Sequence, residues 1–161
     1  MQEVSLDHET RSALDIKKSG AYAYSMHPST DLWCFAWAVD DGTPLLWLPG
    51  DPVPDWAGEA PLRAWNSPFE RAIWENILVP RYGFPRVPQD RWTCTASEAR
   101  AMGLPGSLDA AAKALRLPIE KDDAGHRLMM RMAKPRKVLD DGTYTWWDDA
   151  ERRERLYAYC R

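Results

Sequence analysis

Alternating apolar and polar positions near the start of the chain predict β-strands. Residues 3–9 alternate strictly, so that successive side chains point to opposite faces of a strand. Residues 30–40 are a longer aromatic and β-branched run, which is typical of a central strand. Asp41 and Gly42 form a dipeptide that favours a tight hairpin turn, and residues 43–48 then return as its second strand. This part of the chain therefore predicts one strand followed by a β-hairpin.

Apolar positions at helical spacing dominate the rest of the sequence. Ser67 and Pro68 are a serine cap followed by a proline at the first helical position, and we expect the helix to end before Pro80. Its apolar stripe includes Ile73 and Ile77. Further helices are predicted over residues 95–102, 108–117, 125–134 and 151–161.

The remaining stretches predict connections. A short strand is expected at residues 62–65, so that 62–79 form a strand–helix crossover. Loops are predicted at 10–29, 49–61, 80–92 and 135–150, with about one helical turn in the first and one short helix at most in the second. Early strands, late helices and one crossover predict an α/β fold with a small mixed sheet.

Composition bounds the class of protein. The chain has 161 residues, 45% of them hydrophobic and 28% charged, which suits one globular domain. The longest apolar run is eight residues, whereas a membrane span needs about 20, so we expect no membrane association. The N-terminus lacks a basic stretch before an apolar one, and the three cysteines form no CxxC motif. Neither a disulfide framework nor a cysteine zinc site is expected, and a cytoplasmic location fits.

Charge and tryptophan content add less. The net charge of −3 does not indicate nucleic-acid binding, although an acidic metal site in a nuclease is compatible with it. Nine tryptophans exceed the need of a routine core, and we interpret them as flat exposed or partner-covered surfaces.

Asp7 and Glu9 are the first candidates for chemistry. Residues i and i+2 of a strand share a face, with Cα atoms about 7 Å apart, so both carboxylates can reach one cation. Mg²⁺ and Mn²⁺ prefer such oxygen ligands. For the pair alone, a strand end with two solvated acids is the favoured explanation, since the pattern is short.

Two later residues extend this candidate site. Glu70 falls in the first turn of the predicted helix, where the helix dipole alone is sufficient to favour an acid, and the crossover also allows it to be a third metal ligand. Tyr159 lies in the last helix three residues after Leu156, and its spacing alone favours a core aromatic.

Ordered segments along nearly the whole chain resemble one enzyme superfamily. They are residues 7–12, 20–24, 27–30, 66–71, 104–108, 111–115 and 156–161. Together they resemble the DnaQ-like, or DEDD, 3′→5′ exonucleases, and in particular the proofreading domain of bacteriophage family A DNA polymerases. The resemblance implies an RNase H-like mixed β-sheet flanked by helices.

The resemblance also assigns the site. Asp7 and Glu9 match the first motif, Asp-x-Glu. Asn66 and Glu70 match the second, with glutamate in place of the usual aspartate, and Tyr159 matches the tyrosine of the third, Tyr-x-x-x-Asp. Asp7, Glu9 and Glu70 are then expected to bind two Mg²⁺ or Mn²⁺ ions, and all four residues Asp7, Glu9, Glu70 and Tyr159 are expected to be catalytic.

The third motif is incomplete within these residues. Its aspartate would fall at position 163, two residues past Arg161. We therefore expect residues 1–161 to be one exonuclease domain truncated within the third motif. The domain should bind metal weakly and be nearly inactive until extended through that aspartate.

The resemblance also implies contacts to the 3′ end of single-stranded DNA and a polymerase domain as partner, in the cytoplasm of a bacterial host. Candidate contacts to DNA are Thr10, Asn66, Phe69, Arg131 and Lys134. For Phe69 core packing is favoured, and for the basic residues a solvated helix face is as good an explanation. Two alternatives stay open: an RNA-trimming exonuclease of the same superfamily, and a non-catalytic remnant that binds single strands or docks on a polymerase.

Overall fold

The fold is a five-stranded mixed sheet with helices on both faces. The computed structural model describes residues 2–40, 42–118 and 122–161, so the predicted turn at Asp41 lies outside the described residues. The sheet consists of β1 (Val4–Arg11), β2 (Asp31–Val39), β3 (Leu45–Trp47), β4 (Leu62–Ala64) and β5 (Trp92–Cys94). A separate hairpin consists of β6 (Lys137–Val138) and β7 (Tyr144–Thr145).

The helices are α1 (Ile16–Met26), α2 (Ser67–Ile73), α3 (Val79–Tyr82), α4 (Thr95–Ala101), α5 (Leu108–Ala114), α6 (Asp123–Met132) and α7 (Ala150–Cys160). The helices from α2 onward follow the predicted order, and α1 precedes them in a stretch predicted as a loop. Two 3₁₀ turns lie at Asp55–Gly58 and Gln89–Arg91. Within the described ranges, no helix has the length and apolarity needed to cross a bilayer.

The sheet order is β3-β2-β1-β4-β5, which places β1 at the centre. β2 is antiparallel to β1 and to β3, whereas β4 runs parallel to β1 and β5 parallel to β4. This mixed sheet with helices on both sides confirms the predicted RNase H-like α/β fold. The predicted hairpin is also confirmed, with Phe35 opposite Trp47 and Trp37 opposite Leu45.

Two apolar clusters lie on the two faces of the sheet. The larger one contains Val4 and Leu6 of β1 and packs against α1, α2 and the residues that follow α2. The smaller one contains Cys34 and Ala36 of β2 and packs against α6 and α7. Since residues directly opposite in an antiparallel pair share a face, Glu9 (opposite Cys34) and Asp7 (opposite Ala36) belong to the α7 side.

The tryptophans correct one expectation. Trp33, Trp47 and Trp74 are buried, and none of the tryptophans is among the exposed large side chains of the described residues. Trp37 and Trp56 pack against the larger cluster with ring centroids 5.2 Å apart. Most of the tryptophans are therefore buried in the core or packed partly against it, and the tryptophans do not form large exposed surfaces in the described part of the chain.

Pro80 does not end the helix that begins at Ser67. A π-helical turn, Trp74–Leu78, joins α2 to α3, and Pro80 lies in the first turn of α3. A π turn shifts the backbone pairing by one residue, so the missing N–H group of Pro80 is accommodated at a new helix start. The helical segment ends at Gly83, which has the left-handed φ of 74° that glycine adopts without strain.

The stretches predicted as loops contain three further elements. α1 occupies residues 16–26; Asp15 caps it by accepting a hydrogen bond from Lys17 N at 2.9 Å, and Gly20 breaks its regularity with φ 78°. β5 follows the arginine- and proline-rich segment, and the β6–β7 hairpin lies within 135–150. Each of these strands has three residues or fewer, which is too short to give a periodic signal.

Candidate functional site

Two carboxylates of β1 meet a thiol of α7. One ligand atom from each of Asp7, Glu9 and Cys160 can be chosen so that all three atoms lie within 4.8 Å of one another. The alternation of β1 puts both acids on the face that α7 covers, and Cys160 Sγ lies 3.7 Å from the backbone oxygen of Asp7. The structure therefore brings the two predicted acids together and adds a residue that the motif does not include.

These groups are in an electrostatically costly position. Removal from solvent raises the pKa of Asp7 to about 6, although the side chain keeps an exposed edge. Burial and the charge of Asp7 raise the pKa of Glu9 well above its ordinary value. A hydrogen bond with Cys34, burial and the nearby carboxylates also raise the pKa of Cys160. Acidic groups this close to one another, two of them buried and Asp7 exposed, favour either bound protons or a bound cation.

Glu70 lies on α2, the helix that follows β4, and β4 is the strand next to β1 on the side away from β2. Asn66 adopts the left-handed conformation, φ 70°, in the turn between β4 and α2, which asparagine tolerates better than most residues. This turn places Glu70 in the first turn of α2, only 3% exposed. Burial, and then the charge of Asp7 among smaller effects, raise the pKa of Glu70 to about 9. Glu70 is not part of the group within 4.8 Å, but the charge of Asp7 acts on it.

One oxygen of Glu70 suggests a missing positive partner. Glu70 Oε2 is buried, and none of the described residues donates a hydrogen bond to it. A buried carboxylate oxygen without a partner is costly, and buried charges are generally paired or coordinate metals. The donor set of Asp7, Glu9 and Glu70 fits a hard divalent cation, and the thiol of Cys160 adds a softer donor.

Tyr159 lies beside the same acids at the end of α7. Burial and the charges of Glu9 and Asp7 raise its pKa to about 12, so its hydroxyl stays protonated. The hydroxyl is 3.4 Å from His126 Nδ1 of α6. Gly125 lets the ring approach, because a Cβ atom there would overlap the Tyr159 ring and the Asp122 carboxyl group. His126 and Gly125 of α6 thus contact the hydroxyl and the ring of Tyr159 and fix its position.

The five predicted DNA contacts lie in different places. Thr10 Oγ1 is hydrogen-bonded to Tyr24 Oη at 2.9 Å, and Phe69 packs on the same tyrosine, with ring centroids 6.1 Å apart. Asn66 is exposed at the start of α2. Arg131 lies over the Trp147 ring at 5.5 Å, and Lys134 is exposed after α6. Thr10 and Phe69 thus meet at Tyr24, and the packing of Phe69 against the larger cluster agrees with the core role favoured for it.

Sequence reasoning missed Cys160, His126 and Gly125. Cys160 follows Leu156 by four positions, so helical spacing alone put it on the same buried face. His126 and Gly125 gave no comparable signal, because their proximity to Tyr159 depends on how α6 packs against α7.

Comparison with known proteins relates the chain to a phage protein. No family model matches the chain. The chain is 33% identical over 172 aligned positions to a DNA polymerase of Bacillus phage SP02, and the alignment covers 99% of this chain and 26% of that polymerase. The chain thus spans about a quarter of the length of this curated relative. The RNase H-like domain with its cluster of carboxylates is therefore related to one segment of a phage DNA polymerase.

Proposed function

We propose that this domain is a 3′→5′ exonuclease that hydrolyses the 3′-terminal phosphodiester of single-stranded DNA and proofreads for a phage-type polymerase. The observation that carries the proposal is the pair of carboxylates Asp7 and Glu9 on the central strand of an RNase H-like sheet, with the buried, unpartnered Glu70 near enough for the charge of Asp7 to raise its pKa. The related segment in a phage polymerase supports the biological setting.

The acids account for the metal requirement. Asp7, Glu9 and Glu70 would hold two Mg²⁺ or Mn²⁺ ions, which when bound supply an activated water and stabilise the leaving oxygen. Without cations, burial and, for Glu9 and Glu70, the nearby charge of Asp7 make ionisation of the three acids unfavourable, as their raised pKa values indicate. Glutamate at position 70 is one methylene longer than the usual aspartate, so its carboxylate reaches farther from α2.

Tyr159 contributes orientation. Because its hydroxyl stays protonated at neutral pH, it is a hydrogen-bond donor beside Glu9 and Asp7. A donor in this place would orient the attacking water without binding metal. His126 and Gly125 hold the ring there, so they act as positioning residues.

The test is digestion of a 5′-labelled single strand with Mg²⁺ or Mn²⁺, using the chain extended through an aspartate at position 163. Asp7→Ala should reduce the rate by about a thousandfold, since a charge-stabilising group at the reacting atoms is lost. Tyr159→Phe should only slow digestion. Glu75→Gln is the matched control for Glu70→Gln, because Glu75 lies in the same helical segment and pairs with Arg86 instead.

Three outcomes would contradict the proposal. Digestion that survives Asp7→Ala would place the active site elsewhere. Digestion of RNA with little digestion of matched DNA would favour the RNA-trimming alternative. Binding of single strands with no metal-dependent cleavage in the extended chain would favour the non-catalytic alternative.

A further inference from the structure

A second concave site lies at the end of β1, and its lining includes none of the proposed metal ligands. It is a cavity of about 370 Å³ formed by β1, β2, α3 and the β6–β7 hairpin. Its lining includes Arg11, Asp31, Arg81, Tyr144 and Trp146. Arg11 and Asp31 are the last and first residues of paired strands, directly opposite each other.

The charges in this cavity do not cancel. Arg11 and Arg81 both approach Asp31, each with a shortest N···O distance of 3.6 Å, which is longer than a hydrogen bond. Asp31 Oδ1 instead accepts hydrogen bonds from Tyr82 Oη at 2.8 Å and Leu32 N at 3.0 Å. Two guanidinium groups therefore share one carboxylate that is already hydrogen-bonded, and one positive charge is left over.

The Arg11 guanidinium is held by aromatic rings. Its Cζ atom lies over the Trp33 ring at 4.5 Å and over the Trp146 ring at 5.1 Å. Arg11 Nε is buried and has no hydrogen-bond partner among the described residues. Because guanidinium N–H groups lie in one plane, a group held through its faces offers its donors along its edges. Planar arrays of this kind match phosphate oxygens.

Aromatic side chains complete the lining. Tyr144 and Trp146 are half-buried, with ring centroids 6.1 Å apart and planes tilted by 49°. Half-exposed rings next to arginines form the combination that binds single strands, with bases stacking on the rings and phosphates pairing with the cations. We propose that this cavity binds a phosphodiester of single-stranded nucleic acid, with a phosphate at Arg11 and Arg81 and a base against Tyr144 or Trp146.

The position suggests a route for the strand. Arg11 follows Glu9 by two residues on β1, so their Cα atoms are about 7 Å apart, close to the spacing of successive phosphates in an extended strand. A strand whose 3′ end lies at the carboxylates could therefore pass through this cavity. That route rests on the proposed function, whereas binding in the cavity requires no metal.

Binding is measured by fluorescence anisotropy of a labelled oligodeoxynucleotide of roughly ten residues, with a chelator present so that no cleavage occurs. Arg81→Gln should weaken binding about tenfold, as expected for the loss of one charge-assisted hydrogen bond. Arg86→Gln removes the same charge from an exposed position outside the cavity and should leave affinity within about twofold. Equal losses in both variants would mean non-specific attraction and overturn the proposal.

A second variant distinguishes a loss of the binding site from a loss of the fold. Asp31→Asn keeps the oxygen that accepts from Tyr82 and Leu32 but removes the negative charge, so it should tighten binding several-fold, which a damaged fold would not do. Glu98→Gln, an exposed acid on α4, is its matched control. Unchanged or weaker binding by a folded Asp31→Asn variant overturns the proposal.

Competition distinguishes the ligand from other anions. Inorganic phosphate should displace the oligonucleotide weakly, because it lacks a base. Displacement by polyglutamate as effective as by unlabelled oligonucleotide would identify a polyanion site and overturn the proposal. Asp7→Ala should retain binding while losing digestion. If no variant of the chain digests DNA and Arg81→Gln still differs from Arg86→Gln, the proposed function fails and this inference stands.

Discussion

Single side chains in this protein show what burial costs when a partner is missing. Glu70 is 3% exposed with an unpartnered oxygen, and His8 is 5% exposed with neither ring nitrogen bonded to any described residue. Both side chains lie in or next to the central strand. Each favours its neutral form in the folded state, so each links folding stability to pH or to metal.

Glu70→Gln should stabilise the metal-free protein. The pKa of Glu70 is raised to about 9 in the folded protein. The stability that protonated Glu70 contributes to the fold is therefore fully present below the pKa of a glutamate in the unfolded chain, and it is lost as pH rises towards 9. At pH 7 the glutamine variant should therefore gain on the order of 1 kcal/mol in free energy of unfolding, measured by denaturant titration with chelator. Mn²⁺ should raise the midpoint of the wild type and of Glu75→Gln but not of Glu70→Gln. A destabilised glutamine variant would show that the carboxyl group is well paired.

His8 predicts the opposite pH dependence. Burial lowers its pKa to about 3, so the folded state holds it neutral while the unfolded chain binds a proton below about pH 6.5. Its contribution is present above that value and is lost as pH falls. Between pH 7 and pH 5 the wild type should lose about 2 kcal/mol that His8→Leu does not lose. The free energy of unfolding of both proteins is measured by denaturant titration at the two pH values. Equal losses in the wild type and in His8→Leu would show that His8 does not cause the pH dependence.

At the scale of elements, the site depends on how α2 and α7 pack against β1. β1 could be predicted because seven alternating residues carry a strong signal, and its alternation also placed Asp7 and Glu9 on one face. α1 could not, because Gly20 interrupts its spacing, and the continuation past Pro80 depends on a π turn that no local pattern marks. The approach of Cys160 and His126 depends on tertiary packing, which periodicity does not contain.

The contact between α6 and α7 gives a prediction at this scale. Gly125→Ala should lower the free energy of unfolding by about 1–3 kcal/mol, because the new Cβ must displace Tyr159 or Asp122. At an uncrowded helical position the same change would stabilise by about 1 kcal/mol. Gly58→Ala, whose Cβ would meet only Pro85 at 3.5 Å or more, should be tolerated. Thermal unfolding followed by circular dichroism compares the two variants with the wild type. A stabilised Gly125→Ala protein would show that Gly125 is not closely packed against Tyr159 and Asp122.

The whole molecule is asymmetric about its sheet. Among the residues that the structure describes, one face carries fifteen buried residues of the larger cluster and the other six of the smaller cluster. The side with α6 and α7 buries less apolar surface and should open at lower free energy. Yet this is the side that supplies Cys160 and Tyr159 to the carboxylates of β1.

Hydrogen exchange should resolve this asymmetry. Without metal, amides of α6 and α7 should exchange faster than those of β1, β2 and α2. Mn²⁺ should slow exchange in α7. A cation near Asp7 and Glu9 would reduce the repulsion between these carboxylates and so stabilise the contact that the end of α7 makes with them. Uniform protection across both faces, or a metal effect confined to other elements, would contradict this account.

The wide spacing of the site residues along the chain has a consequence for synthesis. Asp7 and Glu9 leave the ribosome early and Glu70 follows, but Tyr159 and Cys160 come more than eighty residues later. A nascent chain can therefore build the sheet and its larger core while the cluster of acids still lacks the helix that closes it. For the proposed nuclease, this order would delay metal-dependent cleavage of single-stranded DNA until α7 has left the ribosome and docked on the sheet.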